Sequence, residues 1–223
     1  MHASPVIFDC DGVLVDSEVI HLAVEREHLA ALGLVYEDAA YLTRFVGLAD
    51  AAFRREIERD HRARGLGPLP AGTFERMAAQ ASGRLERALR PLPGAAAFAA
   101  GLRGPRAVAS SSNAAALEFK LRKTGLRRYF GPHVHAGDQV ANGKPAPDLF
   151  LRAARGLGAD PADCRVIEDS VNGVRAARAA GMEAWGFAGG GHADADLPRR
   201  LRAAGATQVF SSFAEASAFL GQP

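Results

Sequence analysis

The sequence predicts an α/β fold, a doubly wound parallel sheet interrupted by an inserted all-helical cap domain. Short runs rich in β-branched and aromatic residues alternate with segments of helical pattern, which is the order typical of a parallel sheet. Proline and glycine stand at the starts and ends of the helical segments, where they punctuate helices. One stretch near the N-terminus, residues 17–89, breaks the alternation.

Six predicted strands share a length of three or four residues and an apolar composition. They are residues 6–8, 106–109, 133–136, 165–167, 184–187 and 207–210. The clearest predicted helices between and after them are residues 114–124, 147–157, 171–180 and 213–220. Gly125, Gly158 and Gly181 follow three of these helices directly, as expected of helix ends. The alternation therefore predicts a Rossmann-like core.

Residues 17–89 show apolar positions at helical spacing and no convincing strand. A charge-rich segment is followed by a turn cluster at residues 65–70 and then by a segment rich in Ala, Leu, Glu and Arg. Pro91, Pro93 and Gly94 would then redirect the chain into the core. We therefore predict a core of residues 1–16 and 90–223 and a helical cap of residues 17–89.

Composition narrows the function classes. The chain of 223 residues holds 27 basic and 25 acidic residues, a formal net charge of +2, which predicts neither a nucleic acid nor a membrane as partner. No export signal or membrane-spanning apolar run is recognisable, so we expect a cytoplasmic protein. No feature of the sequence points to an obligate protein partner. Cys10 and Cys164 are predicted to be reduced core residues.

Two acidic pairs follow predicted strands. Asp9 and Asp11 come after the first strand, and residues two apart in an extended chain project to the same side. Like charges this close favour a shared proton or a bound cation, and a hard oxygen site suits Mg²⁺. Glu168 and Asp169 follow the fourth predicted strand in the same way. In a parallel sheet the two pairs could meet at one edge, although solvated acids or helix capping would also explain them.

Hydroxyl and ammonium groups follow two other strands. Ser110 and Ser111 precede a predicted helix, where a hydroxyl and free backbone N–H groups can bind an anion or simply cap the helix. Lys144 is one of only three lysines in an arginine-rich chain, so a compact point charge is favoured there over a solvated loop lysine. Both positions are candidates for binding a phosphate.

Four ordered motifs together resemble those of the haloacid dehalogenase superfamily. They are FDCDGVLVDS (residues 8–17), ASSS (109–112), KPAPD (144–148) and EDSVNG (168–173). The resemblance covers nearly the whole chain and is greatest to the branch with β-phosphoglucomutase and the sugar-phosphate phosphatases, which carry a helical cap after the first motif. It implies a Mg²⁺-dependent phosphatase acting on a small phosphorylated metabolite, a sugar or sugar-acid phosphate.

The resemblance also implies a role for each matching residue. Asp9 would be the nucleophile that forms an aspartyl-phosphate, and Asp11 the general acid and base. Ser110, Ser111 and Lys144 would bind the phosphate. The implied metal ligands are Asp9, Asp11 through its backbone carbonyl, Glu168 and Asp169. The presence of Asp11 favours phosphate chemistry over carbon–halogen cleavage.

Two alternatives stay open at this point. Ser17 and His21 are candidates for the cap or hinge, and the mutases of this branch have a histidine where the chain has His21. Against a phosphomutase, Asp50 stands three residues after Gly47, where those enzymes have an arginine for the second phosphate. A catalytically idle, phosphate-binding homologue is the other alternative, which the intact acidic set disfavours.

Overall fold

The computed structural model describes residues 4–45 and 50–221. The chain divides into two compact units, one of Met1–Glu18 with Leu89–Pro223 and one of Val19–Ala88. No helix in the described part of the chain is both long and apolar enough to cross a bilayer.

The first unit is built on one six-stranded sheet in which each strand lies parallel to its neighbours. Its strands are β1 (Val6–Phe8), β2 (Arg106–Ser110), β3 (Val134–Ala136), β4 (Arg165–Glu168), β5 (Glu183–Phe187) and β6 (Gln208–Phe210). Their order across the sheet is β3-β2-β1-β4-β5-β6. Each predicted strand differs from the observed one by at most one residue at an end. The predicted doubly wound fold class is confirmed.

The register aligns the ends of the three central strands. Phe8 lies opposite Val108 on β2 and Ile167 on β4. The residues that follow Phe8 and Ile167 therefore emerge side by side at the carboxyl edge of the sheet. In this strand order the direction of winding reverses next to β1, which is where doubly wound sheets bind their ligands.

Helices connect the strands and cover the sheet. They are α5 (Ala95–Gly101), α6 (Ala114–Lys123), α7 (Asp148–Leu157), α8 (Val171–Ala179), α9 (Leu197–Ala203) and α10 (Phe213–Phe219), numbered after the four helices of the second unit. Sequence reasoning did not predict α5 and α9.

Local chemistry explains where two of these helices begin. The Asn113 side chain accepts a hydrogen bond from the backbone N–H of Ala116 at 2.9 Å, and Ser170 accepts one from that of Gly173 at 3.0 Å. Each bond satisfies an N–H group that a helix start leaves without a partner. Ile7 and Val166 pack with helix residues in a fully buried core. Strand ends and helix starts are thereby fixed next to one another.

The second unit is helical throughout its described residues. It contains most of α1 (Ser17–Ala31), together with α2 (Asp38–Phe45), α3 (Asp50–Ala63) and α4 (Thr73–Ala88). Its core is aromatic and aliphatic, with Tyr41 and Phe45 at a ring-centroid distance of 4.9 Å. Arg44 on α2 bonds Glu56 and Asp60 on α3, which ties these two helices together.

Candidate active site

The topology brings three strand ends together. Asp9 follows β1 directly, while Ser110 and Glu168 are the last residues of β2 and β4. Since these strands are neighbours in the sheet, residues separated by more than 150 positions in the chain meet at its carboxyl edge.

Three of the predicted acidic residues form one cluster. Asp9, Glu168 and Asp169 are buried, and each offers a carboxylate oxygen within 4.8 Å of the others. Among the described residues, it is the one cluster of three or more side chains that could bind a metal ion together. Three carboxylates at this spacing present the hard oxygen donors that a divalent cation such as Mg²⁺ binds.

Lys144 lies inside this cluster with its side chain only 6% exposed. Its Nζ donates to Asp9 at 2.5 Å and to Glu168 at 2.7 Å. Burial alone would lower the pKa of Lys144, but the two carboxylates outweigh burial and raise the pKa above its ordinary value. Lys144 is therefore a fixed positive charge in the site.

One ammonium group does not balance three carboxylates. Burial raises the pKa of Asp9 well above its ordinary value; Lys144 opposes this rise and the neighbouring carboxylates add to it. Burial also raises the pKa of Asp169, and Glu168 adds to the rise. These two carboxyls favour either a proton or a cation, so the donor set fits a divalent metal.

Asp11 has different surroundings. Its Oδ1 accepts hydrogen bonds from Ser17 at 2.5 Å and from the ammonium group of Lys120. Burial would raise the pKa of Asp11, but Lys120 and the bonds from Ser17 and Ser112 outweigh it, so the pKa lies below its ordinary value. The Asp11 carboxyl group is thus bonded by a lysine and serines and does not join the acidic cluster, and its backbone carbonyl stays the predicted metal ligand.

The serine run after β2 points at Asp11. Asp11 Oδ2 accepts from Ser112 Oγ at 2.9 Å and from Ser110 Oγ at 3.3 Å. Ser110 is buried, whereas Ser111 is exposed. The structure therefore brings Ser110 to the site and places Ser111 on the surface of the loop.

Ser112, Lys120 and His192 lie in the site although sequence reasoning did not assign them a role. Lys120 had a visible signal, since it is one of three lysines in the chain. His192 follows three consecutive glycines, which give no signal for a role in this site. Its Nε2 lies 3.0 Å from Asp169 Oδ2, and its Nδ1 is buried without a hydrogen-bond partner.

Close backbone approach explains two of the glycines here. A Cβ on Gly12 would lie 1.9 Å from Asp169 Oδ2, and Gly12 has a φ of +75°. A Cβ on Gly190 would lie 2.8 Å from the His192 ring. Glycine therefore permits Asp169 and His192 to pack against the loop that carries Asp11.

The cap and hinge candidates lie at different places. Ser17 begins α1, is fully buried and bonds Asp11 as described. His21 lies on the same helix, half-buried, within the helical unit. Gly47 lies outside the described residues, as does the side chain of Asp50, so the structure adds nothing to the argument based on them.

Comparison with known proteins identifies the family. A family model described as haloacid dehalogenase-like hydrolase matches residues 6–181. The chain belongs to this family. The predicted resemblance and the predicted enzyme class, a phosphoric monoester hydrolase, are both confirmed.

Proteins similar to this chain include a sugar-phosphate phosphatase and solved structures of the same family. Fructose-1-phosphate phosphatase YqaB from Escherichia coli is 38% identical over 80% of this chain and 93% of its own length. A haloacid dehalogenase family hydrolase from Deinococcus radiodurans, solved with bound phosphate and sodium, is 34% identical with a TM-score of 0.84, covering 98% of this chain and 95% of its own.

A second similar structure is named as a putative mutase. A putative β-phosphoglucomutase from Thermotoga maritima is 28% identical with a TM-score of 0.75 and covers 98% of both chains. Proteins named as a phosphatase and as a putative mutase are thus both similar to this chain, so the family alone does not separate the two activities.

Proposed function

We propose that this chain is a Mg²⁺-dependent phosphatase that hydrolyses a sugar or sugar-acid phosphate through an aspartyl-phosphate on Asp9. The observation that carries the proposal is the buried cluster of Asp9, Glu168 and Asp169 with Lys144 inside it. The similarity to a fructose-1-phosphate phosphatase supports the substrate class. The helical unit, residues 19–88, is proposed as the cap and the sheet unit as the catalytic core.

Asp9 is the proposed nucleophile. It is buried at the end of β1, and Lys144 neutralises part of the charge that would otherwise repel a phosphate dianion. Asp9, Asp169 and the Asp11 carbonyl would hold Mg²⁺, with Glu168 beside them. When bound, the cation supplies charge neutralisation and orientation of the phosphoryl oxygens. In-line attack of the Asp9 carboxylate on phosphorus would displace the sugar oxygen.

Asp11 is the proposed proton donor and acceptor. It would protonate the leaving alkoxide as the bond to phosphorus breaks, and it would then take a proton from the water that hydrolyses the aspartyl-phosphate. Over both steps one water is consumed, and the alcohol and inorganic phosphate are released. Ser110 and Lys144, whose side chains lie in the site, would bind the phosphoryl oxygens.

The test is phosphate release from a panel of sugar and sugar-acid phosphates, with Mg²⁺ and with a chelator. Wild-type enzyme should release phosphate only when the cation is present. Asp9→Asn should abolish turnover yet keep the wild-type circular dichroism spectrum. After an acid quench, wild-type protein should carry one phosphoryl group on the peptide that contains Asp9. An Asp9→Asn variant with wild-type turnover would exclude this nucleophile.

A phosphomutase is the second candidate. His21 on α1 and the similarity to a putative β-phosphoglucomutase favour it. A mutase would convert a sugar 1-phosphate to the 6-phosphate without net release of phosphate. Following both products by ³¹P NMR in one reaction separates the two activities.

A further inference from the structure

Phe150 is a buried aromatic residue whose ring faces the ammonium group of Lys144. Lys144 Nζ lies over this ring, 4.9 Å from its centroid. The Lys144 side chain is 6% exposed, and Phe150 is fully buried. A cation within about 6 Å of the face of an aromatic ring is attracted by the electron density of that face, most strongly where water is excluded. The contact therefore acts on a buried charge and is more than apolar packing.

The chain brings this ring to Lys144 through a short loop that is fixed to a helix. Phe150 lies in the first turn of α7, directly after the loop that carries Lys144. Within this loop the side chain of Asn142 donates to Asp148 Oδ1, at the start of α7, at 3.1 Å. Lysine and ring thus belong to one local piece of structure, although sequence reasoning assigned Phe150 no role.

The ring attracts the ammonium group without adding charge to the site. An ammonium group has three N–H donors, and Lys144 donates to Asp9 and Glu168. A third carboxylate at this lysine would add to a negative charge that already exceeds the positive charge, and it would compete with a phosphoryl oxygen for the remaining N–H group. The aromatic face has neither effect, because it carries no formal charge.

Plain packing is the alternative explanation for Phe150. The residue also belongs to the core cluster that contains Ile7 and Leu149. The two explanations differ in the property of the ring that they require. Packing depends on the shape of the ring, whereas attraction of the ammonium group depends on the electron density of its face.

We propose that Phe150 is a positioning residue that holds the Lys144 ammonium group, through the face of its ring, where this group meets a phosphoryl oxygen. The inference rests on the proposed function, in which Lys144 binds the transferring phosphoryl group. Without the attraction, the long Lys144 side chain is free to settle closer to the carboxylates. Returning it to the phosphoryl oxygen would then cost part of the binding energy of the substrate.

Fluorinated phenylalanines test this proposal, because each fluorine withdraws electron density from the ring face and changes the shape of the ring little. Phe150 is replaced with the monofluoro (4-), difluoro (3,5-) and trifluoro (3,4,5-) forms. We expect kcat/KM for the best sugar phosphate of the panel to fall about threefold for each fluorine and about 30-fold for three, the ratio equivalent to about 2 kcal/mol for a desolvated contact. The Kd of inorganic phosphate, from calorimetric titration with Mg²⁺ present, should rise in the same steps.

The same fluorinated series at Phe213 is the matched control. Phe213 is buried and packs against the rings of Phe187 and Phe98, with centroid distances of 4.6 Å and 5.1 Å. Fluorination there should leave kcat/KM and the Kd of phosphate unchanged. Phe150→Leu keeps an apolar side chain without a ring face and should match the trifluoro protein. If the leucine variant does not fold, the fluorinated proteins, which keep the shape of the ring, still provide the test.

The outcomes are distinguishable. No loss at position 150, or the same loss with one fluorine as with three, would overturn the role of Phe150, because packing depends on shape alone. An equally graded loss at Phe213 would overturn it too, since it would show a general effect of fluorine in the core. A wild-type protein that releases phosphate from no sugar phosphate would instead refute the proposed function, and the phosphate Kd series would still decide on the contact between Phe150 and Lys144.

Discussion

Gly173 on α8 lies under the carboxylate of Glu168. A Cβ at this position would lie 1.7 Å from Oε1, 1.9 Å from Cδ and 2.4 Å from Oε2 of Glu168. No real contact is that short, so Gly173→Ala must displace the Glu168 side chain. Glycine here is required by the close approach of a buried carboxylate and not by an unusual backbone conformation.

The cost follows from the bonds that Glu168 makes. Its oxygens accept from Lys144 Nζ at 2.7 Å, from the backbone N–H of Ser170 at 2.7 Å and from Ser170 Oγ at 2.9 Å. At the low end, about 1.5 kcal/mol for each bond to a charged group, their loss costs about 4.5 kcal/mol. Alanine offsets at most about 1 kcal/mol through its higher helix propensity. We therefore expect a loss of about 3.5 kcal/mol in the free energy of unfolding.

Urea unfolding measures this loss. The single tryptophan, Trp185, is buried on β5, so its fluorescence reports the sheet unit, and far-ultraviolet circular dichroism reports the helices. Gly83→Ala in α4 is the matched control, because its Cβ would meet only the Arg87 guanidinium, at 3.4 Å. It should leave stability unchanged or raise it by up to about 1 kcal/mol. A Gly173→Ala protein as stable as wild type would refute the reasoning.

Three further predictions concern the charges of the site. Because the pKa values of Asp9 and Asp169 are raised in the metal-free protein, these two carboxyls contribute stability that is lost as pH rises above about 4. Mg²⁺ competes with their protons and should therefore raise the melting temperature more at pH 8 than at pH 5, and a pH-independent increment would contradict this. Lys144→Met leaves buried carboxylates unpaired, so urea unfolding should show a loss of about 3–5 kcal/mol, and a loss below about 1 kcal/mol would count against the buried ion pairs. His192→Phe should weaken Mg²⁺ binding about tenfold in calorimetric titration, because it removes the contact to Asp169. The control His135→Phe alters a buried imidazole with no bonded partner and should leave Mg²⁺ affinity unchanged. Equal Mg²⁺ affinities of the His192 variant and the wild-type protein would exclude a role for the Asp169 contact.

The sheet and the acidic cluster could be predicted because both follow from local sequence. Strands of β-branched residues are apolar on both faces, and the residues just after them lie at one edge whatever the helices do. The sequence does not predict α5 because its Ala-rich segment follows Gly94, part of the predicted domain boundary. It does not predict α9 because only Leu197 and Leu201 mark the buried face of that helix.

The contacts of Lys120 and His192 could not be predicted in the same way. Which face of α6 meets Asp11 depends on how that helix packs, and the position of the His192 loop beside Asp169 depends on the pairing of β5 with β4. Helix packing and loop closure are properties of the assembled fold, and a single lysine or histidine in a sequence does not encode them. The roles assigned to the site residues remain predictions.

The charges of the site explain why its carboxyl groups shift in opposite directions. Four carboxylates lie with two ammonium groups, so two negative charges remain uncompensated within the described residues. Asp11 accepts a hydrogen bond from Lys120, and the pKa of Asp11 falls. Asp9 shares Lys144, Asp169 bonds neither lysine, and the pKa of both carboxyls rises. One divalent cation would restore neutrality where this deficit lies, so the proposed metal site coincides with the two carboxyls whose pKa is raised.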